Sequence, residues 1–200
     1  MQRVVQGAAS ERREQTREAI LGCAVSRVAR AGVEGATLQD VATDAGLSKG
    51  AVTHHFANKD DLLDAVMIRC GERLAARITA AVDAQPMPGD RLRALRDAVW
   101  SAWDDDVDEA RALALLACSA LTHPRLRAVS EGAWAATAAV VARAIDETAV
   151  VLGLRPRVES EAVARWLLAC AAGHRLTRGD APDPGAKQVL ALSLGALFEL

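Results

Sequence analysis

His54 and His55 stand side by side within AGLSKGAVTHHFANKDDLL, residues 45–63. Such a pair is open to metal ligation, proton transfer, contact with nucleic acid, or packing. Ligation is the weakest of these. Neighbouring residues on a helix point about 100° apart, so the two rings cannot close on one ion as an i, i+4 pair can. The sequence contains neither HExxH nor ExxH, the helical metal signatures. The acidic run DDDVDE, residues 104–109, lacks the glycine and the spacing of a calcium loop. It reads more simply as a helix start, with Asp106 as cap and Glu109 three residues on. Cys23, Cys70, Cys118 and Cys170 are scattered, without a CxxC. Buried free thiols are expected there, not zinc or a redox pair. No catalytic residue, metal ligand or cofactor is expected.

Chemistry by contact with a partner remains, and composition bounds the scaffold that would present it. The chain has 200 residues, 51% hydrophobic but only 3% aromatic, with no tyrosine. Much alanine, leucine and arginine, with few aromatics and few β-branched runs, predicts an all-α protein. The net charge is −2, which excludes a chain that is basic throughout. The charge is unevenly spread: residues 1–33 hold six arginines against three glutamates, and residues 61–200 hold 16 basic against 19 acidic groups. A basic start on an acidic body suits contact with DNA through one end. The first residues form no apolar segment, and every uncharged run falls short of the ~18 residues that span a bilayer. A cytoplasmic protein with no membrane partner is expected.

The positioning elements follow from caps and periodicity. Residues 1–9 read as a flexible arm. Ser10 caps a first helix to about Ala31, with Ile20, Cys23, Ala24 and Val28 inward. Thr37 caps a short second helix and Asp40 falls at its third position; Gly46 ends it. Ser48 caps a third helix, Lys49 to about His55, and Asn58 caps a long fourth to about Ala84. Further helices are expected at about 90–103, 107–121, 124–152, 158–177 and 186–200.

Two short helices joined by a glycine turn suggest a helix-turn-helix. Leu47 and Val52 would pin the third helix to the second, while Ile20, Ala24 and Phe56 complete a three-helix core. At this point the chain resembles the TetR family of bacterial transcriptional regulators. The resemblance rests on GVEGATLQDVATDAGLSKGAVTHHFANKDDLLDAV, residues 32–66. Its elements are Thr37 opening the second helix, the turn Ala45-Gly46-Leu47-Ser48, His55-Phe56, and Asn58-Lys59-Asp60-Asp61-Leu62. The resemblance covers about the first third of the chain. It implies an N-terminal three-helix DNA-binding domain, residues 10–57, followed by a helical bundle, residues 58–200, for ligand binding and dimerisation.

A recognition helix presents its N-terminal residues to base edges in the major groove. Here that end carries Ser48, Lys49 and Gly50. Lys49 can donate to guanine or phosphate, and Gly50 lets the backbone come close. Thr53 shares the face of Lys49 and can offer its methyl to thymine. Thr37, Ser48 and Lys59 sit at helix N-termini, which attract phosphate; Lys59 is the foremost clamp candidate. His54 is assigned to phosphate or a base edge, and His55 to packing against the first helix. In one respect the chain departs from the family, which usually has an aromatic residue where Thr53 stands.

By the resemblance, a pocket for a small apolar or amphipathic effector would lie among the helices holding Met67, Cys70, Trp100, Trp103, Cys118, Trp134 and Thr137. Core packing is the competing reading for each tryptophan. Two stripes near the C-terminus look like an interface: Val163, Trp166, Leu167, Cys170 and His174, then Leu190, Leu194 and Leu197 with Phe198 adjacent. Doubled by a two-fold axis, the two helices would form a four-helix bundle, the family's usual dimer. The expectation is thus a homodimeric repressor released from a palindromic operator in double-stranded DNA by an effector. Its rivals are a regulator controlled by a protein partner or lacking a ligand, and an enzyme on a helical bundle. A largely apolar cavity of a few hundred Å³ would favour the effector. No carboxylate–histidine spacing supports the enzyme.

Overall fold

The computed structural model describes residues 2–101 and 106–178, together with 185, 188, 189, 192, 196, 198 and 199. Helices dominate: α1 (Gln2–Ala31), α2 (Leu38–Asp44), α3 (Lys49–His55), α4 (Lys59–Asp83), α5 (Pro88–Ser101), α6 (Val107–Ala120), α7 (Pro124–Leu152) and α8 (Ser160–Arg178). Two dipeptides, β1 (Arg155–Pro156) and β2 (Phe198–Glu199), pair antiparallel.

The chain divides into two compact units, residues 1–69 with 111–130, and residues 70–110 with 131–200. The expected boundary at residue 57 is therefore not where the first unit ends; that unit also takes in the start of α4 and the segment 111–130.

Local chemistry sets the short elements of the first unit. Asp40 N–H donates to Thr37 Oγ1 at 3.1 Å, and the Thr37 hydroxyl in turn donates to the Asp40 carboxylate at 2.6 Å. This differs from a reciprocal capping box, because Asp40 grips the side chain and not the backbone of residue 37. Gly46 has φ +66° and ends α2. Leu47 N–H reaches the Ala42 carbonyl and Gly46 N–H the Thr43 carbonyl, the paired bonds of a Schellman cap. Gly46→Val would force a β-branched residue into the left-handed region, at a cost of about 1–2 kcal/mol. A lowered Tm is expected; an unchanged melting curve would refute a strained turn. Ser48 Oγ accepts from Ala51 N–H, and Asn58 Oδ1 accepts from Asp61 N–H, so both expected caps form.

Around that frame, Ile20, Leu21, Ala24, Val25 and Val28 of α1 pack with Val41 and Ala42 of α2, Val52 of α3, and Phe56; all are 3% exposed or less. The α1 helix begins at Gln2, so residues 2–9 are helical and not an arm, and Ser10 is interior and not a cap. Glutamine, arginine and alanine there carry little helix penalty, and nothing in that stretch stops the helix.

In the second unit, Leu95, Val99, Trp100, Val141, Ile145, Val163 and Leu167 form the core. Glu109 is only 4% exposed and is met by both Arg73 and Arg77, the latter at 2.6 Å. Its own N–H donates to the Asp106 carboxylate at 3.0 Å, so the expected cap on α6 forms. The observed α5 and α8 are shifted by about two residues from the expected bounds. At the C-terminus, Phe198 and Glu199 are strand, not helix as expected. There the β1 backbone offers the hydrogen-bonding partner.

Candidate nucleic-acid interface

The helix α3 lies on the surface of the first unit, anchored by one side. Val52 is fully buried and Phe56 is 3% exposed, while Ser48, Lys49, Gly50, Thr53 and His54 are exposed. The expected reading residues therefore share the solvent side of a helix whose other side is fixed. Lys49 makes no hydrogen bond or ion pair among the described residues. Thr53 Oγ1 donates to the Gly50 carbonyl at 3.0 Å, which commits the hydroxyl and leaves the methyl. The Thr37 hydroxyl is held by Asp40, so a phosphate there would face a carboxylate.

The two histidines part company as expected. His54 is exposed and His55 half-buried, with the rings edge to face at 5.6 Å. His55 leans on Phe56, and the Arg17 guanidinium of α1 lies 5.5 Å from the Phe56 ring centre, within cation–π range. Burial, then the neighbouring His54, Arg13 and Arg17, lowers the His55 pKa from its ordinary 6.5, against an opposing pull from Glu14. The native state thus favours neutral imidazole more than the unfolded chain does. Its contribution to stability is present above pH 6.5 and is lost as the pH falls through the native value. Thermal melts should show stability declining on acidification below that point, with a shallower decline in His55→Gln. Identical pH slopes would refute it.

Several basic groups of the N-terminal excess are already occupied. Arg27 grips Asp44 with two bonds of 2.8 Å, and Arg30 reaches the same carboxylate at 3.2 Å. This fork joins α1 to the end of α2, where a carboxylate alone would oppose the helix dipole. Arg69 pairs with Glu18 at 3.1 Å. Lys59, the expected clamp, donates to the Glu34 carbonyl at 3.1 Å and to the Glu34 carboxylate at 3.2 Å. Sequence reasoning missed these pairs. The only signal was the i, i+3 placement of Arg27 and Arg30 on one face of α1.

The expected effector residues are divided between the units. Met67 and Cys118 belong to the first, and Cys70, Trp100, Trp134 and Thr137 to the second. Met67, Cys70 and Thr137 are no more than 1% exposed. Thr137 donates to the Ala133 carbonyl at 3.0 Å, a bond within α7. Trp100 is 7% exposed and stacks on His174 at 4.6 Å, so it packs in the core. Trp134 is half-buried. Cys118 is exposed and Cys23 and Cys170 are half-buried, so of the four thiols expected to be buried Cys70 alone is; in an apolar run such as ALALLACSAL the outward face is hard to read. Trp103 lies outside the described residues. Among the described residues, cavities of about 410, 660 and 240 Å³ are lined by none of these side chains.

The expected interface stripe on α8 also divides. Val163 and Leu167 are 3% and 0% exposed, claimed by the core of their own unit, and His174 lies on Trp100. Cys170 is half-buried. Trp166, by contrast, is 41% exposed and Leu176 58%. With exposed Ala162, Ala169 and Gly173 they form an outward stripe spaced 4, 3, 4, 3, the heptad spacing of helix pairing. Leu190, Leu194 and Leu197 lie outside the described residues, and Phe198 belongs to β2. Among the described residues, no helix is long and apolar enough to cross a membrane.

Comparison with known proteins fits this geometry. Residues 20–66 match the family model for bacterial regulatory proteins of the tetR family. The chain is similar to the HTH-type transcriptional repressor KstR2 of Mycobacterium tuberculosis, 33% identical over 76 residues, 38% of each chain. It is similar to the HTH-type transcriptional regulator BetI of Burkholderia ambifaria, 38% identical over 84 residues, 42% of this chain and 43% of BetI. The chain thus matches well under half the length of these curated relatives. A solved transcriptional regulator of Rhodococcus sp. Rha1 superposes with a TM-score of 0.71 at 26% identity, over 90% of this chain and 94% of that one.

Proposed function

We propose, from the premise that the chain is a member of the tetR family of bacterial regulatory proteins, that it is a homodimeric DNA-binding transcriptional regulator of the repressor kind. The observation that carries this reading is α3: capped by Ser48, pinned through Val52, and presenting Lys49, unpaired among the described residues, beside Gly50 and Thr53. Such a helix can lie in a major groove with its first turn toward base edges. Lys49 donates to guanine or phosphate, and the Thr53 methyl meets a thymine methyl. Ser48 and His54 flank them toward the backbone. The repressor sense rests on the likeness to KstR2.

The outward stripe of α8 supports the dimer. Ala162, Ala169 and Gly173 leave room for a close helix, and Trp166 and Leu176 supply apolar area. Among the described residues, nothing lies within 4 Å of a Cβ placed on Gly173, so α8 is uncovered there. A symmetric copy packing there would give the assembly two copies of α3, as a palindromic site requires.

Control by a small effector remains part of the reading, although Cys70, Trp100 and Thr137 serve the core. Fluorescence anisotropy of the full chain on the DNA upstream of its own gene tests the function. Lys59→Ala should weaken binding to specific and unrelated duplexes alike and shallow the salt slope by about one. Lys49→Ala should cost about 1–3 kcal/mol and relax preference at one base position. No binding at low salt would refute the function; an unaltered slope in Lys59→Ala would refute the clamp.

A further inference from the structure

Beside the contact between Lys59 and Glu34 lies a cavity of about 410 Å³, wholly within the first unit. Its floor is apolar: Val33, Leu63 and Leu126 are 9%, 5% and 6% exposed. Its rim is charged, and Lys59 and Arg125 there are already paired. Lys59 is held by the carbonyl and carboxylate of Glu34. Arg125 is held by Asp61 at 2.6 Å and Asp64 at 2.7 Å. Asp60, also on the rim, makes no hydrogen bond or ion pair among the described residues. In the lining, Lys59 and Arg125 stand against three acids, Glu34, Asp60 and Asp64, with His123 beside them. An anion entering the cavity finds Lys59 and Arg125 both held by carboxylates. A cation finds an open carboxylate above an apolar floor, in a volume within the usual range for small-molecule sites, about 300–1,000 Å³.

We propose that this cavity binds a small organic monocation, a protonated amine with a short apolar body, and that its ammonium group takes Glu34 over from Lys59. The exchange is cheap. The Glu34 side chain is 86% exposed, and exposed ion pairs are worth only about 0.2–1 kcal/mol. Lys59, once released, has its full charge available to a phosphate. The cation therefore raises affinity for DNA. This second half rests on the DNA-binding reading; binding in the cavity does not.

Isothermal titration calorimetry of the full chain with n-hexylammonium tests the site, with hexanoate and 1-hexanol as controls of equal length. Saturable binding of one n-hexylammonium per subunit is expected, with none for hexanoate and a several-fold loss in Asp60→Asn. Asp60 is exposed, so the variant keeps its core, which circular dichroism checks. Absent binding, equal or tighter binding of hexanoate, or an unchanged affinity in Asp60→Asn would overturn the site. The second arm measures DNA affinity in excess salt. n-Hexylammonium should raise it and steepen the salt slope by a fraction of one, because Lys59 beside Glu34 already makes part of its phosphate contact. Glu34→Gln should show the same gain without amine and no further response to it, and Lys59→Ala should show neither. Calorimetric binding without these changes would overturn the release of Lys59. A chain that binds the amine but no DNA would refute the regulator and leave the site standing.

Discussion

Trp166→Glu is expected to turn a dimer into monomers and to lower affinity for a two-half-site operator by a factor on the order of 10²–10⁴. The first effect follows from burial. An exposed tryptophan central in an apolar stripe is the kind of residue that dominates an interface, worth about 2–4 kcal/mol or more on truncation. A carboxylate there adds like-charge repulsion and desolvation where two symmetry-related helices meet. The second follows from linkage. In a dimer, binding of one reading head holds the other at high effective concentration, and separating them forfeits an avidity of about 10²–10⁴. Affinity for a single half-site should change little. Since Trp166 is also 59% covered within its own chain, taken from its 41% exposure, Gly173→Glu serves as the second variant. A Cβ there meets nothing within 4 Å among the described residues, so this change burdens the outward face and spares the core. Multi-angle light scattering reads the assembly, and two variants that remain dimeric would remove this face from the interface.

Glu109→Ala is expected to destabilise the second unit by about 3 kcal/mol, near the low end for breaking a buried ion pair. The carboxylate is 4% exposed, whereas the side chains of Arg73 and Arg77 are 51% and 30% exposed and can recover some hydration. What cannot recover is the buried Arg77 Nε, which has no hydrogen-bond partner among the described residues even with Glu109 present. Glu109→Gln should fall between, keeping the shape and one acceptor while losing the charge. Urea unfolding separates the variants through the midpoint at constant m. A loss below about 0.5 kcal/mol in Glu109→Ala, typical of surface sites, would show the cluster to be incidental.

Those two residues also mark what the sequence could and could not reveal. Thr37, Gly46, Ser48, Asn58 and Asp106 were legible as caps because each acts on backbone within a few residues. The exposed side of α3 was legible because the motif places Val52 inward and Lys49 outward. Glu109 was legible only as a helix-start acid; its partners lie 36 and 32 residues earlier on α4, at 73 and 77, and no periodicity links them. Lys59 was legible as a cation at a helix N-terminus, while Glu34, 25 residues away, was not legible as its counter-ion. On α8 the expected interface stripe mixes two sides: Val163 and Leu167 face the core, whereas Trp166 stays outward beside Ala162, Ala169 and Gly173, a division that hydrophobicity alone does not mark. The helical start at Gln2 escaped because a helix without a stop signal has no edge to read.

The central claim is that two copies of α3 read duplex DNA together. In vitro selection by the full chain from random-sequence duplexes tests it most directly. The account predicts enrichment of an inverted repeat whose half-sites are centred about 10–10.5 base pairs apart, or a multiple of that. Recovery of no sequence above the starting pool would contradict it.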